Sequence, residues 1–309
     1  MTAPVGPSAG AVYDRGYRPY EGPRGGRRAA RGALWRTSVR RALGLRRDWR
    51  QKVFPWSLVA FATLPAVVAV IAAYAQSRTP FEEIELVDHR DYLDMSVYLL
   101  LFVATVAPDL VCPDRRNRTL PLIFSRPLTG DDYALAKFTA IASLVFAFTL
   151  VPQIVLFVGQ MFVNRDGALD YFTEHVAVLW QVPVAAALIA TFYAALGLAV
   201  AASTSRRVAG SVAILGILLV TAMVAAIAGD AGSDDPTFGP DDDRGSAWAL
   251  VNIGALPLRL SDVVFEGKAD PDGALGGVPG GSAAAAAIYL AVLVASAAFL
   301  HWRYRKVDL

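Results

Sequence analysis

The sequence predicts an all-α integral membrane protein with six transmembrane helices, an N-terminal amphipathic interfacial helix and both termini in the cytoplasm. Three observations support this fold class: 55% of the 309 residues are hydrophobic, only 18% are charged, and long stretches contain no charged residue. A soluble domain has about 25% charged residues, and a membrane-spanning helix needs about 20 mainly apolar residues. The chain is therefore too apolar for an ordinary soluble domain and has enough long apolar stretches for several spans.

Six stretches are assigned as spans. Five of them contain a long central run without Asp, Glu, Lys or Arg. The second is less apolar, because Asp94 and Asp109 leave only a short uncharged run between them. The predicted six-helix domain covers residues 53–309, and its spans are 53–77, 93–112, 136–163, 175–203, 208–229 and 282–302.

The distribution of Lys and Arg predicts the orientation, because positively charged loops stay on the cytoplasmic side. With six spans and an inward N-terminus, the cytoplasmic segments contain 23 Lys and Arg residues and the opposite side contains six. Omission of the second span would move the basic residues of 115–137 to the outside. We therefore expect a multi-pass protein of the cell membrane with both termini in the cytoplasm.

Two segments precede the first span. Residues 1–30 are rich in Gly, Pro and Arg, which predicts a flexible cytoplasmic arm. In residues 31–52, apolar side chains recur at roughly helical spacing among arginines, which predicts an amphipathic helix on the membrane lipids. A solvated cytoplasmic helix is the alternative, and no nucleic-acid partner is expected. The apolar side chains are Leu34, Trp35, Val39 and Trp49.

The sequence offers little support for catalysis by this chain. Its three histidines are not paired at metal-ligand spacing, Cys112 is the single cysteine, and no HExxH, GxSxG or Walker A motif occurs. We therefore expect no enzymatic activity, no cofactor and no metal. The glutamines inside the spans, Gln153, Gln160 and Gln181, either line a route or hydrogen-bond between helices.

The external segment 230–281 is long, Gly-rich and acidic, and we interpret most of it as a solvated loop. Its aspartates lack the alternating ligands and terminal Glu of a calcium-binding loop. Within it, residues 247–265 are apolar but interrupted by Pro257 and Arg259. This pattern predicts a short helix that dips into the outer leaflet before the last span.

The cytoplasmic segment between spans two and three, residues 107–137, carries the most specific signal. A short apolar patch is framed by charged residues, and such a patch suits docking into a groove of a soluble partner. For the arginines that precede the patch, contact with an acidic partner and a role in membrane orientation are both open. The candidate docking residues are Asp114, Arg115, Arg116, Arg118, Thr119, Leu120, Leu122, Ile123, Phe124, Arg126, Pro127 and Lys137.

This arrangement resembles the membrane permease subunit of bacterial type-two ABC transporters. In that family the loop reads as an acid, a small spacer, Thr-Leu, apolar residues, Ser or Arg before Pro, and a Lys that opens span three. The family often has Glu and Gly where this chain has Asp114 and Arg118. Six spans, inward termini, an N-terminal interfacial helix and the GYRPYEGPR stretch extend the similarity. The matching positions are Asp114, Thr119, Leu120, Ser125, Arg126, Pro127 and Lys137.

The resemblance implies a permease that forms a homodimer or pairs with a second permease, and that docks separate cytoplasmic ATP-binding subunits on this loop. Export is the direction implied, with energy supplied by the partner. The alternatives are a membrane scaffold or accessory subunit of a larger complex and, less favoured, a membrane-embedded enzyme or an ion-coupled carrier. Hydrophobic drugs, lipids and peptides are all compatible cargo.

Overall fold

The computed structural model describes residues 25–45, 49–77, 89–93, 96–125, 127–164, 167–231, 247–266, 278 and 280–305. Every regular element in these ranges is a helix. The α-helices are α1 (Gly26–Ala42), α2 (Trp49–Ser77), α3 (His89–Leu93), α4 (Ser96–Arg116), α5 (Leu120–Phe124), α6 (Gly130–Val163), α7 (Ala168–Glu174), α8 (Val178–Ser203), α9 (Arg207–Ala231), α10 (Leu256–Glu266) and α11 (Gly281–Arg305). Two short 3-10 helices, Ala247–Val251 and Ile253–Ala255, precede α10.

In the described part of the chain every regular element is helical and six helices are long and apolar enough to cross a membrane, as the predicted multi-pass membrane protein requires. They are α2, α4, α6, α8, α9 and α11, and the apolar stretches within them are Pro55–Ala75, Val97–Arg116, Gly130–Val163, Val178–Ser203, Arg207–Gly229 and Gly281–Arg305. The third begins at Gly130 and not at 136, because Thr129 and Asp132 form a capping box that starts the helix. Residues 1–24 and 306–309, which include both termini, lie outside the described residues.

Helices α4 and α8 form the centre of the bundle. Most of their residues are buried, whereas α2, α9 and α11 leave most side chains on the outer surface. The backbones of α4 and α8 approach closely, since a Cβ added at Gly197 would lie 3.1 Å from side-chain atoms of both Val103 and Ala107. Helix α4 thus connects the segment that follows it to the core of the bundle.

The N-terminal helix differs from the prediction. It occupies Gly26–Ala42 instead of 31–52, and Trp49 belongs to α2. The helix ends because Gly44 adopts a left-handed φ of +65°. The Gly44 and Leu45 amides donate to the carbonyls of Arg41 and Arg40 at 3.1 and 2.9 Å, a Schellman motif. This correction also moves the start of the helix into the predicted arm of residues 1–30.

Helix α1 packs against α6 and α4. Among the residues assigned to its apolar face, Leu34 and Val39 are half-buried against the bundle core, and Trp35 is more exposed. The apolar face therefore contributes to packing within the protein.

The segment 247–266 lies alongside α8. The Tyr193 hydroxyl donates to the Gly254 carbonyl at 2.7 Å, and the Gln181 amide donates to the Phe265 carbonyl at 3.1 Å. These α8 residues are twelve positions apart, which is about 18 Å along a helix. The segment therefore runs antiparallel to α8 and packs into the bundle, and α10 is the short helix that the sequence predicts in this segment. Its position relative to the outer leaflet stays a prediction. The acidic remainder of the predicted loop, 232–246 and 267–277, lies outside the described residues.

The span glutamines hydrogen-bond to neighbouring segments. The Gln153 amide nitrogen donates to the His89 carbonyl at 2.7 Å, and its amide oxygen lies 2.7 Å from Nδ1 of the His89 ring. Gln160 accepts a hydrogen bond from the Tyr171 hydroxyl at 2.7 Å, and Gln181 donates to the end of α10. Of the two roles open from the sequence, these contacts favour hydrogen bonding between helices.

Candidate functional site

The predicted docking segment lies at one end of the bundle together with α1, the turn between α8 and α9, and the C-terminal end of α11. We call this the basic end. The α4–α6 connection, residues 117–129, contains the short helix α5. Leu120 is buried in the core, Ile123 and Phe124 are half-buried against it, and Leu122 is 71% exposed. Of the predicted apolar patch, Leu122 is therefore the side chain that points most clearly to the surface.

Helix α4 ends in a Schellman motif centred on Arg118. The Arg118 amide donates to the Arg115 carbonyl at 3.2 Å, and the Thr119 amide donates to the Asp114 carbonyl at 3.0 Å. Arg118 has a φ of +52°, a left-handed conformation that glycine adopts most readily. Arg118 therefore occupies a position that glycine would fill with less backbone strain.

Asp114 is the central charged group of the basic end. Its carboxylate accepts hydrogen bonds from Lys137 at 2.7 Å, from Arg41 at 2.9 Å and from the Tyr133 hydroxyl at 2.9 Å. Asp114 is 7% exposed and Lys137 is 2% exposed. The Lys137 ammonium also donates to the Leu110 carbonyl at 2.8 Å. Both charges thus lie inside the protein, where they join α1, α4 and α6.

A second ionic contact fixes the other end of α1. The Asp132 carboxylate pairs with Arg27 at 2.5 Å and with Arg31 at 3.5 Å, and it caps α6 by accepting from the Thr129 amide at 3.1 Å. The hydrogen bond to Asp132 raises the pKa of Arg27 above its ordinary value, so Arg27 stays charged. Arg27 and Arg41 are fourteen residues apart, about 21 Å along the helix. Helix α1 therefore extends from the start of α6 to the end of α4.

The three candidate arginines have different environments. Arg115 donates hydrogen bonds to the Ala202 and Thr204 carbonyls, groups that lack helical partners at the end of α8. Arg116 and Arg118 are exposed. Arg115 is thus engaged in capping α8, and Arg116 and Arg118 are the two that face solvent.

The turn between α8 and α9 and the end of α11 also attach to this end. Arg207 at the start of α9 pairs with Asp109 of α4 at 2.5 Å. The Tyr304 ring of α11 packs edge-on against Tyr133, with 5.1 Å between centroids. Three spans, α6, α8 and α9, thus contact α4 here, and α11 contacts the start of α6.

Several of these residues were not among the sequence candidates. Arg27, Arg31 and Arg41 recur at helical spacing on one face of α1, a pattern that could have marked that face as the one directed at the bundle. The Thr-Gly-Asp-Asp run resembles a capping box and could have marked the helix start. Arg126 lies outside the described residues, and Pro127 is exposed.

Among the residues that the structure describes, no group of three or more His, Cys, Asp and Glu side chains is placed to hold a metal ion. No protein-family model matches the chain, and no curated protein sequence matches it significantly. The geometry of the basic end is therefore the basis for a functional proposal.

Replacement of Asp114 by Asn leaves the buried Lys137 ammonium without its carboxylate. We expect the free energy of unfolding in detergent to fall by about 3 kcal/mol or more, as for other broken buried ion pairs. Denaturant-induced unfolding of the purified chain measures this loss. The control is Asp131→Asn, which removes a carboxylate that is 63% exposed and pairs with His301, and for which we expect a loss below about 1 kcal/mol. Equal losses in the two variants would contradict the central role of Asp114.

Replacement of Arg118 by Gly should stabilise the chain by about 1 kcal/mol, because glycine adopts the left-handed conformation without the cost of a side chain. Arg116→Gly is the matched control: this neighbouring, equally exposed arginine lies in the last turn of α4, where glycine is expected to destabilise by up to about 1 kcal/mol. Unfolding midpoints of the two variants should move in opposite directions. A shift of both in the same direction would contradict the assigned helix end.

Proposed function

We propose that the chain is the transmembrane permease subunit of an ABC transporter, an exporter in the cell membrane with both termini in the cytoplasm. In this proposal a separate cytoplasmic ATP-binding subunit docks on the α4–α6 connection. The observation that supports it most is the position of α5. This short helix exposes Leu122, and Arg116 and Arg118, shortly before it in the chain, are exposed as well. The helices α1, α4 and α6 are joined through Asp114.

The surface chemistry of the connection suits a partner that presents an apolar groove with an acidic rim. An exposed leucine on a short helix supplies an apolar anchor, and flanking guanidinium groups supply charge complementarity. Leu120, Ile123 and Phe124 keep their contacts with the core and support α5 from beneath. Arg115, Asp114 and Lys137 act within the permease and are not assigned to the contact surface.

The contacts of the basic end provide a route by which movement of the docked partner reaches the spans. A displacement of α5 would move α4, to which the Schellman motif joins it, and α6, to which the capping box of Thr129 and Asp132 joins it. The Asp114 contacts extend this connection to α1, and the Asp109 pair extends it to α9. Energy in this proposal comes from ATP hydrolysis by the partner, and this chain transmits the motion. We propose a dimer of two such permeases as the transporting unit.

A membrane scaffold or accessory subunit is the second candidate. The same exposed helix could anchor a protein that hydrolyses no ATP, so the two proposals differ in what the docked partner does. Stimulation of ATP hydrolysis by the reconstituted chain separates them.

Replacement of Leu122 by Asp should abolish co-purification with the ATP-binding subunit and lower its permease-dependent ATP hydrolysis at least about tenfold, since a charge replaces the apolar anchor. Hydrolysis is measured on the two proteins reconstituted in lipid nanodiscs. Leu120 and Ile123 are poorer sites for this test, because Asp at either would disturb the core.

The matched control is Leu169→Asp, which changes an 81% exposed leucine on α7, a short helix beyond the far end of α6. We expect it to leave both measurements unchanged. Retained co-purification by Leu122→Asp would contradict the docking assignment, and co-purification without stimulated hydrolysis would favour the scaffold.

A further inference from the structure

A groove of about 320 Å³ opens at the basic end between α1 and the α4–α6 connection. Cavities that bind small molecules have volumes of about 300–1,000 Å³. Its lining includes Leu34, Ser38 and Arg41 from α1, Leu122 and Ile123 from α5, and Lys137 from α6. The groove is therefore large enough for a headgroup-sized ligand and combines apolar walls with charged groups.

Two hydrogen-bonding groups in this wall have no protein partner. Ser38 is 2% exposed, and neither its hydroxyl nor the Nε atom of Arg41 makes a hydrogen bond in the described part of the chain. Buried polar groups in proteins are nearly always partnered, by protein, water or ligand. Ser38 and Arg41 are three residues apart on α1 and lie on one face of it. The wall of the groove that α1 forms therefore contains two groups whose hydrogen-bonding capacity the described part of the protein does not use.

Arg41 has hydrogen-bond donors left for an anion. Its Nη1 atom donates a hydrogen bond to Asp114. The Nε atom, on the opposite edge of the guanidinium, makes no hydrogen bond in the described part of the chain. An arginine edge that presents two N–H groups matches the oxygen spacing of phosphate and binds it in a bidentate manner. The Ser38 hydroxyl, three residues earlier on the same helix, is a further donor for such a group.

The charge of the groove favours the same ligand. Arg41 and Lys137 contribute two positive charges, and Asp114 contributes one negative charge, so the lining carries a formal charge of +1. Helix α1 contains six arginines and no acidic residue. These arginines add a positive electrostatic potential around the opening of the groove. Leu34, Leu122 and Ile123 offer apolar contacts to the organic part of the ligand.

We propose that this groove binds a phosphate group, held by the Arg41 guanidinium and the Ser38 hydroxyl and carried either by a lipid headgroup or by a soluble phosphate. The site is formed within a single chain. It therefore does not depend on the proposed ATP-binding partner, and the two proposals fail independently.

The test uses the purified, delipidated full chain in a nonionic sugar detergent, with binding followed by native mass spectrometry. The probes are dioctanoyl phosphatidic acid, dioctanoyl glycerol as the matched lipid without phosphate, and inorganic phosphate. Phosphatidic acid should bind at least about tenfold more tightly than the diacylglycerol. Competition by inorganic phosphate would assign the site to a soluble ligand, and its failure to compete would assign a lipid. The proposal is overturned if the two lipids bind equally and inorganic phosphate does not bind. This result is expected if the groove takes a protein segment.

Variants locate the bound phosphate. Arg41→Gln should weaken binding about tenfold or more, and Ser38→Ala about fivefold. Ser38→Ala removes a hydroxyl without a partner, so its melting temperature should not fall, and weakened binding cannot then be ascribed to unfolding. Arg40→Gln removes an exposed charge from the next position of the same helix and should change affinity less than twofold. Unchanged binding by Ser38→Ala, or equal losses for Arg40 and Arg41, overturns the assignment.

Discussion

The arrangement of the basic end depends on the buried ionic contact between Asp114 and Lys137, 2.7 Å apart. Removal of two charges from water is costly, and their attraction offsets that cost only when further hydrogen bonds satisfy both groups. Arg41, Tyr133 and the Leu110 carbonyl supply those bonds. The carboxylate belongs to α4, and its hydrogen-bond donors belong to α1 and α6. The buried charge is therefore fully hydrogen-bonded only when these three helices lie together.

This requirement explains why so many other contacts converge on the same end. Because Arg41 is committed to Asp114, and Arg27 to Asp132, α1 is attached to the bundle at both its ends. The connection that carries α5 starts at the end of α4, the helix packed most deeply against α8. The helix that exposes Leu122 is therefore attached, through α4, to the core of the bundle.

The sequence predicted the parts of this structure that depend on local pattern. A span is defined by length and apolarity, so six long helices overlap the six predicted spans. The start of the third was missed by six residues because it depends on the capping box of Thr129 and Asp132. The end of α1 was missed because it depends on the backbone conformation of Gly44. The predicted docking residues divide into buried and exposed groups because burial depends on partners distant in sequence, as with Arg41 and Asp114, 73 positions apart. The orientation in the membrane and the partner stay predictions.

The measurement that tests the central role of Asp114 most directly is the distance between spin labels at positions 40 and 122, on a Cys112→Ala background. Electron paramagnetic resonance on the chain in nanodiscs gives this distribution with Asp114 present and with Asp114→Ala. A narrow distribution that broadens or shifts when the carboxylate is removed would support Asp114 as the group that joins α1 to the α4–α6 connection. An identical narrow distribution in both proteins would contradict it.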